Sequence, residues 1–411
     1  MRVVIIGGGV IGLMAAHYLR KGGAEVVVLE RGRVGAACSA GNAGWVTPSI
    51  SIPLPAPGLR LQSLRWMMRA DAPLYIKPSA APRMLGFLLR FWQRCNERDF
   101  RAGCAAFATL AADTMERYDE LAADGIAFES HSDGLLMAFR HAEEMAAERA
   151  LLEGLGYGPL RFLSAAELQD LEPALAPGAA GGIHILAERT VRPETVCGGT
   201  ADHLRRHGVA VKEESAVSGL EIEGHTARAV RLAGEEIEGD AFLIATGAEA
   251  ARLAAQCGSR LPLQAGKGYS VTIRDPAVAI RHPLYLGSIR VGMSPFDGAL
   301  RIAGTMELSG VNLELDPRRV AALKRGAERE VPGVTVGASA VEWVGMRPIT
   351  PDGLPILGAL PSCRNVYVAT GHQMLGVTLA PSTGKLMADL ILDGRSAIDL
   401  RPFSPGRFGR A

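Results

Sequence analysis

Arg2-Val3-Val4-Ile5-Ile6-Gly7-Gly8-Gly9-Val10-Ile11-Gly12 stands at the head of the chain, and its reading decides the fold. The β-branched apolar run at 2–6 is what a parallel strand buried on both faces requires. Gly7, Gly9 and Gly12 then fit G-x-G-x-x-G, residues 13–21 continue as a helix, and Glu25-Val-Val-Val-Leu-Glu30 forms a second buried strand. Each glycine has a task in such a βαβ unit. Gly7 makes the tight turn, Gly9 lets the backbone approach a pyrophosphate, and Gly12 lets the helix pack closely on the strands. The helix N-terminus supplies amide donors and a dipole to the anion. Glu30 ends the second strand, where a carboxylate can accept hydrogen bonds from both hydroxyls of an adenosine ribose. Arg31 beside it does not require a 2′-phosphate. The unit predicts a dinucleotide site and leaves NAD and FAD open.

Outward from that unit, the composition narrows the function classes. The 411 residues carry 44 Lys and Arg against 43 Asp and Glu, and 48% are hydrophobic. Such a chain can bury a large core, which excludes a disordered or collagen-like polymer, and its length fits two or three domain-sized units. A net charge of +1 gives no electrostatic reason to expect nucleic acid as a partner, so a small-molecule enzyme is the expectation. The 49 glycines imply many tight turns or close approaches to a ligand. The cysteines, Cys38, Cys95, Cys104, Cys197, Cys257 and Cys363, form no C-x-x-C pair and read as reduced thiols in a cytosolic protein. The apolar run 3–16 is too short to span a bilayer and ends without a signal-peptide cleavage site.

Three later stretches share one grammar. Gly32-Arg-Val-Gly-Ala-Ala-Cys-Ser39-Ala-Gly41-Asn42-Ala43-Gly44-Trp45 is a loop of small residues that can lie against a flat ring. Ser39 and Asn42 offer hydrogen bonds there, while Gly41, Ala43 and Gly44 permit close approach. Ala241-Phe-Leu-Ile-Ala-Thr246-Gly247 is a further buried strand, ending where a doubly wound sheet meets a cofactor edge. Val366-Tyr-Val-Ala-Thr370-Gly371-His372-Gln373-Met374-Leu375-Gly376-Val377-Thr378 runs from a strand through a glycine loop into a helix expected over 380–392, with Pro381 in its first turn. A helix N-terminus aimed at the ring would stabilise negative charge there.

Together these pieces resemble the D-amino acid oxidase superfamily of FAD-dependent amine oxidoreductases. Ser39-Ala-Gly-Asn-Ala-Gly44, Gly266-Lys-Gly-Tyr-Ser270, Met346-Arg347-Pro348-Ile-Thr-Pro-Asp-Gly353 and Gly371-His-Gln-Met-Leu-Gly376 are more narrowly similar to bacterial D-amino acid dehydrogenases. The resemblance runs from the first residue to about 392. It implies an α/β fold, a Rossmann-like FAD-binding domain with an inserted antiparallel-sheet-plus-helix substrate domain. It implies FAD held by Gly7, Gly9, Val10, Ile11, Gly12, Glu30, Arg31, Ser39, Asn42, Ala43 and Gly44. Thr246, Gly247, Gly371, Leu375, Gly376 and Thr378 would border the flavin. Val217, at the end of a strand expected over 211–217, resembles the position whose backbone contacts the adenine. Cys38 departs from the Thr or other small residue commoner at its place. A covalent flavin link through it is one reading, and a small buried thiol is the commoner one. No metal is expected.

The reaction implied is oxidative deamination of a D-amino or imino acid, D-proline and hydroxyproline included. Hydride leaves the α-carbon for flavin N5, water hydrolyses the resulting imine, and the electrons pass to a quinone or dye acceptor. Arg347 is the first candidate for the chemistry, because a guanidinium in a proline-stiffened segment can clamp a carboxylate in a bidentate fork. The competing reading pairs it with Asp352 or another acid. Tyr269 is the second, donating to the carboxylate or covering the pocket, against ordinary packing in a strand. Lys267 and His372 are weaker candidates for the flavin edge. No dedicated base is essential, since a dry pocket favours the neutral amine. The same motifs would serve an oxygen-using D-amino acid, glycine or sarcosine oxidase, or a non-catalytic flavin-carrying subunit of a hetero-oligomeric dehydrogenase. The loops at 39–44 and 371–376 disfavour a nicotinamide enzyme.

The remaining pattern divides the chain into a discontinuous FAD-binding domain, 1–125, 192–260 and 337–411, and a substrate-binding domain, 126–191 and 261–336. Helices are expected at 113–123, 141–155, 195–206 and 317–330, and strands at 126–128, 135–139 and 209–212, with a β-meander running on to 238. The proline-rich segment 46–59 reads as an extended crossing. His203 and His207 have the i, i+4 spacing of a zinc pair, but two arginines between them and no third ligand favour a solvated helix face. Residues 63–68 and 83–94 mix apolar and basic side chains, the latter setting Arg83, Arg90 and Arg94 around Met84, Leu85, Phe87, Leu88, Leu89, Phe91 and Trp92. A core-packed helix with snorkelling arginines is the first reading, and a peripheral contact with an acidic membrane surface the second. The location expected is cytoplasmic, or peripheral on the inner face of the cell membrane.

Overall fold

The opening run becomes the strand Arg2–Ile6, held between two parallel neighbours, Glu25–Leu29 and Ala241–Ile244, in a computed structural model that describes residues 1–59, 74–156, 158–337 and 339–409. The full order in this sheet is Ala210–Lys212, Glu25–Leu29, Arg2–Ile6, Ala241–Ile244, Val366–Thr370 and Ile356–Ala359. The last strand alone runs antiparallel. The order reverses beside Arg2–Ile6, the place where a doubly wound sheet opens its binding crevice. Val3, Ile5, Val26, Val28 and Leu243 pack against the helices Val10–Lys21, Pro193–Arg206 and Gly376–Asp393. Val4, Ile6, Val27, Leu29, Phe242 and Ile244 pack against a three-stranded meander, Gly219–Glu223, Thr226–Arg231 and Glu236–Glu238, and the helix Ala250–Gln256. Burial on both faces is why these strands are apolar without alternation.

Several expected boundaries move, each for a visible reason. The final helix begins at Gly376, not near 380, and carries Pro381 inside it. Proline lacks the N–H that would bond the Val377 carbonyl, and the Tyr118 hydroxyl donates to that oxygen at 2.8 Å instead. The strand expected over 211–217 stops at Lys212, because Glu214 turns the chain with φ +52. Val217 lies in the following loop. Residues 126–128 join no sheet, since the Ala127 carbonyl packs against Gly199 of a helix; the strand is Ser130–His131. His203 is buried, not solvated, with its ring stacked on His207 and edge-on to His17.

The second sheet runs Val341–Ile349, Gln264–Arg274, Ala299–Leu308, Val291–Phe296, Leu284–Leu286, Leu135–Phe139, Gly181–Ile185 and Leu160–Ser164, with Leu74–Ile76 added alongside Ala299–Leu308. Its pairs are antiparallel except Leu284–Leu286 with Leu135–Phe139 and Ala299–Leu308 with Leu74–Ile76. Residues 74–76 and 341–349, grouped from sequence with the cofactor unit, therefore pair into this sheet, through partners distant along the chain. The helix Pro317–Glu330 lays Val320, Leu323 and Ala327 on one face. The helix Ala81–Arg94 packs Met84, Phe87, Leu88 and Phe91 against Ile76, Met306, Leu308 and Ile349. Its outer side exposes Arg83, Leu85, Leu89, Arg90 and Arg94. The stretch 63–68 lies outside the described residues. No helix among the described residues is long and apolar enough to cross a membrane.

Candidate active site

A cleft of about 460 Å³ opens along the carboxyl ends of the central parallel strands. Its floor is the glycine turn. Gly7 has φ +112, and a Cβ on it would sit 2.6 Å from the Ala245 carbonyl oxygen; on Gly12 it would sit 2.0 Å from the Gly7 oxygen. Neither position admits a side chain, so the backbone lies flush beneath the cleft. The helix Val10–Lys21 starts here without a side-chain cap, leaving its dipole to the ligand. Val10 N–H meets the Ser39 hydroxyl at 3.1 Å, which ties the helix to the small-residue loop.

Of the residues expected to hold FAD, Gly7, Gly9, Val10, Ile11, Glu30, Arg31, Ser39, Asn42, Val217, Thr246, Gly247 and Gly376 line this cleft. Glu30 is fixed by the Gly8 and Gly32 N–H groups at 2.8 and 2.9 Å, and its oxygens keep lone pairs for further donors. Arg31 reaches across to Glu249 at 2.6 and 2.7 Å, so its charge is already matched within the chain. The Thr246 hydroxyl is buried without a partner among the described residues, as a residue bordering a polar ring would be. Gly12, Ala43, Gly44, Gly371, Leu375 and Thr378 do not line the cleft. Thr378 supports it, donating to the Trp45 carbonyl at 2.9 Å and accepting from Thr47 N–H at 3.2 Å. A flavin dinucleotide fits this donor set.

Arg347 lies on the edge strand of the second sheet, over Gly268, where a Cβ would come within 2.1 Å of its Cζ. Its Nη1 donates to the Thr305 carbonyl at 2.6 Å. Burial pushes its pKa down, and the nearby Cys38 thiol opposes that shift. Cys38 lines the cleft, and burial raises its thiol to about 11 against the pull of Arg347, which keeps it un-ionised. No carboxylate among the described residues pairs with Arg347, because Asp352 is taken by Arg407 at 2.7 and 3.0 Å. Arg347 itself does not line the cleft, whereas its neighbours Val344, Met346 and Pro348 do.

Tyr269 is not in this group. It is buried on the face covered by Pro317–Glu330, and its hydroxyl donates to Glu307 at 2.6 Å. Lys267 sits beside it, paired with Glu307 at 2.9 Å. Strand alternation puts 267 and 269 on the face opposite Gly268, and neither lines the cleft. His372 does line it, held by Thr383 at 3.1 Å, and burial lowers its pKa to about 3, so the ring is neutral.

One residue escaped the sequence reading. Arg301, only 3% exposed, donates to the Ala40 and Asn42 carbonyls, both at 2.8 Å, and to Thr272 Oγ1 at 3.1 Å, and pairs with Glu194. It fastens the small-residue loop of the cofactor cleft to the sheet that carries Arg347. An arginine inside an otherwise alternating strand was the only signal.

Fold and cleft together define an oxidoreductase built around a dinucleotide. A family model described as FAD dependent oxidoreductase (DAO) matches residues 2–390, and the chain belongs to that family. The D-amino acid dehydrogenase of Rhizorhabdus wittichii is 34% identical over 418 residues, covering 99% of this chain and 100% of the relative. That of Xanthobacter autotrophicus is 33% identical over 425 residues and covers both chains fully, at 100% each. Among solved structures, glycine oxidase from Geobacillus kaustophilus superposes with a TM-score of 0.74 at 27% identity, over 99% of each chain. The cofactor is FAD and the protein an enzyme of this oxidoreductase class.

Proposed function

We propose that the protein oxidises D-amino or imino acids, and that Arg347 holds the substrate carboxylate. The observation that carries this reading is a half-buried guanidinium beside the cofactor cleft with no acid partner among the described residues. A desolvated cation of this kind is completed by an anionic ligand. The two dehydrogenases aligned over their full lengths support the D-amino acid as that ligand.

Bound FAD supplies a two-electron acceptor for hydride from the substrate α-carbon. The chain's part is alignment and exclusion of water. Arg347 fixes the carboxylate and so one end of the α-carbon. The apolar neighbours Val344, Met346 and Pro348 keep this side of the cleft dry, which favours the neutral amine. His372 stays neutral and adds no competing charge. The cleft residues above form the cofactor site of this proposal, in a cofactor unit drawn from 1–125, 192–260 and 337–411 apart from 74–76 and 341–349, which join the sheet of a substrate unit drawn from 126–191 and 261–336. The acceptor in this reading is a membrane quinone, or a dye in the assay. The exposed Leu85 and Leu89 beside Arg83, Arg90 and Arg94 support a peripheral contact with an anionic bilayer from the cytoplasmic side.

Anaerobic titration of the yellow holoenzyme with D- and L-amino acids, including proline and hydroxyproline, tests the proposal. Bleaching by D-substrates and slow recovery in air is the expected result. Rapid recovery would make it an oxidase, and no bleaching by any amino acid would overturn the reading.

A further inference from the structure

We infer that a β-bulge at Thr305 and Met306, locked from behind by Glu307, positions the Arg347 guanidinium and so sets how tightly the substrate carboxylate is held. This rests on the carboxylate-clamp reading of Arg347. The strand Ala299–Leu308 pairs with Gln264–Arg274 in regular register as far as Gly304 opposite Tyr269, and pairing resumes with Glu307 opposite Lys267. Thr305 and Met306 therefore both face Gly268. Thr305 has φ +60, a conformation that a β-branched residue holds only when its surroundings impose it. Its hydroxyl has no partner among the described residues. What the strained turn achieves is on its other side. The Thr305 carbonyl accepts from Arg347 Nη1 at 2.6 Å, and Met306 Sδ lies 3.8 Å from the same nitrogen. One nitrogen is thereby anchored, and the rest of the fork stays available to an anion.

The lock lies on the opposite face. Glu307, 4% exposed, accepts from the Tyr269 hydroxyl at 2.6 Å, pairs with Lys267 Nζ at 2.9 Å and stands 3.6 Å from Arg319 Nε. Lys267 is also held by Asn312 Oδ1 at 2.9 Å and the Glu314 carbonyl at 2.8 Å. Side chains alternate along a strand, so without the extra residue position 307 would fall on the Arg347 face. The buried ion network thus forms only when the bulge is present, and the bulge is what turns the Thr305 carbonyl to Arg347. Glu307, Lys267 and Thr305 are positioning residues.

The test uses FAD-loaded Glu307→Gln and the double variant Lys267→Met/Glu307→Gln, which leaves no unpaired lysine in the core should the single change fail to fold. Flavin content, kcat and KM for a D-amino acid that reduces the parent protein, and the Kd of benzoate read from the flavin spectrum, are measured together. KM and benzoate Kd should rise about tenfold, with flavin content kept and kcat falling by less than KM rises. The same change in an Arg347→Ala background should move neither constant further. Unchanged constants, or an equal rise in the Arg347→Ala background, overturn the inference. If Arg347→Ala alone leaves both constants where they were, the clamp reading itself fails and takes this inference with it.

Discussion

Gly268 and Arg347 form a pair in which a missing side chain makes room for a charged one. An added Cβ would lie 2.1 Å from the Arg347 Cζ, so Gly268→Ala must push the guanidinium aside. We expect KM for the amino acid to rise about tenfold or more while flavin content stays at the parent level; an unchanged KM would show that the guanidinium is not the binding group. In the sequence, a proline-flanked arginine before a glycine turn marks 347 as a candidate for carboxylate recognition. The face of its neighbours is not marked. Alternation separates Gly268 from Lys267 and Tyr269, yet nothing in the sequence says which face meets the cofactor or that the Tyr269 hydroxyl is taken by Glu307.

At the scale of elements, the glycine-rich βαβ unit and the strands Ala241–Ile244 and Val366–Thr370 were readable because their apolar runs and punctuation are local. The start of the last helix was not, because it depends on a donor from another part of the chain. Tyr118, fully buried, satisfies the Val377 carbonyl that Pro381 leaves without a helical partner. Tyr118→Phe should therefore cost about 1–3 kcal/mol, read as an earlier midpoint in urea for the holoenzyme. An unmoved midpoint would mean that the proline is accommodated some other way. The same dependence on distant partners hid the bulge at Thr305 and the strut from Arg301 to the 40–42 loop.

Over the whole molecule, two buried groups shape stability against pH in opposite senses. Glu188 is buried with the Ser49 N–H and hydroxyl on one oxygen, and desolvation raises it from 4.5 to about 8. The folded state thus holds its proton more tightly than the unfolded one. Its contribution is complete below about pH 4.5 and is lost as pH rises through about 8. His372, lowered from 6.5 to about 3, contributes stability above about pH 6.5 that is lost as pH falls through about 3. Glu188→Gln should then flatten the alkaline side of a Tm-against-pH curve and leave the acid side alone; a curve of unaltered slope above pH 4.5 would remove Glu188 from the account. The central claim is that one cofactor cleft and one half-buried arginine on a second sheet meet at a single amino acid. It is tested most directly by mixing parent and Arg347→Ala holoenzymes anaerobically with a reducing D-amino acid and following flavin absorbance against concentration. The account predicts half-saturation about a hundredfold higher in the variant, at unchanged flavin content; superimposable curves would contradict it.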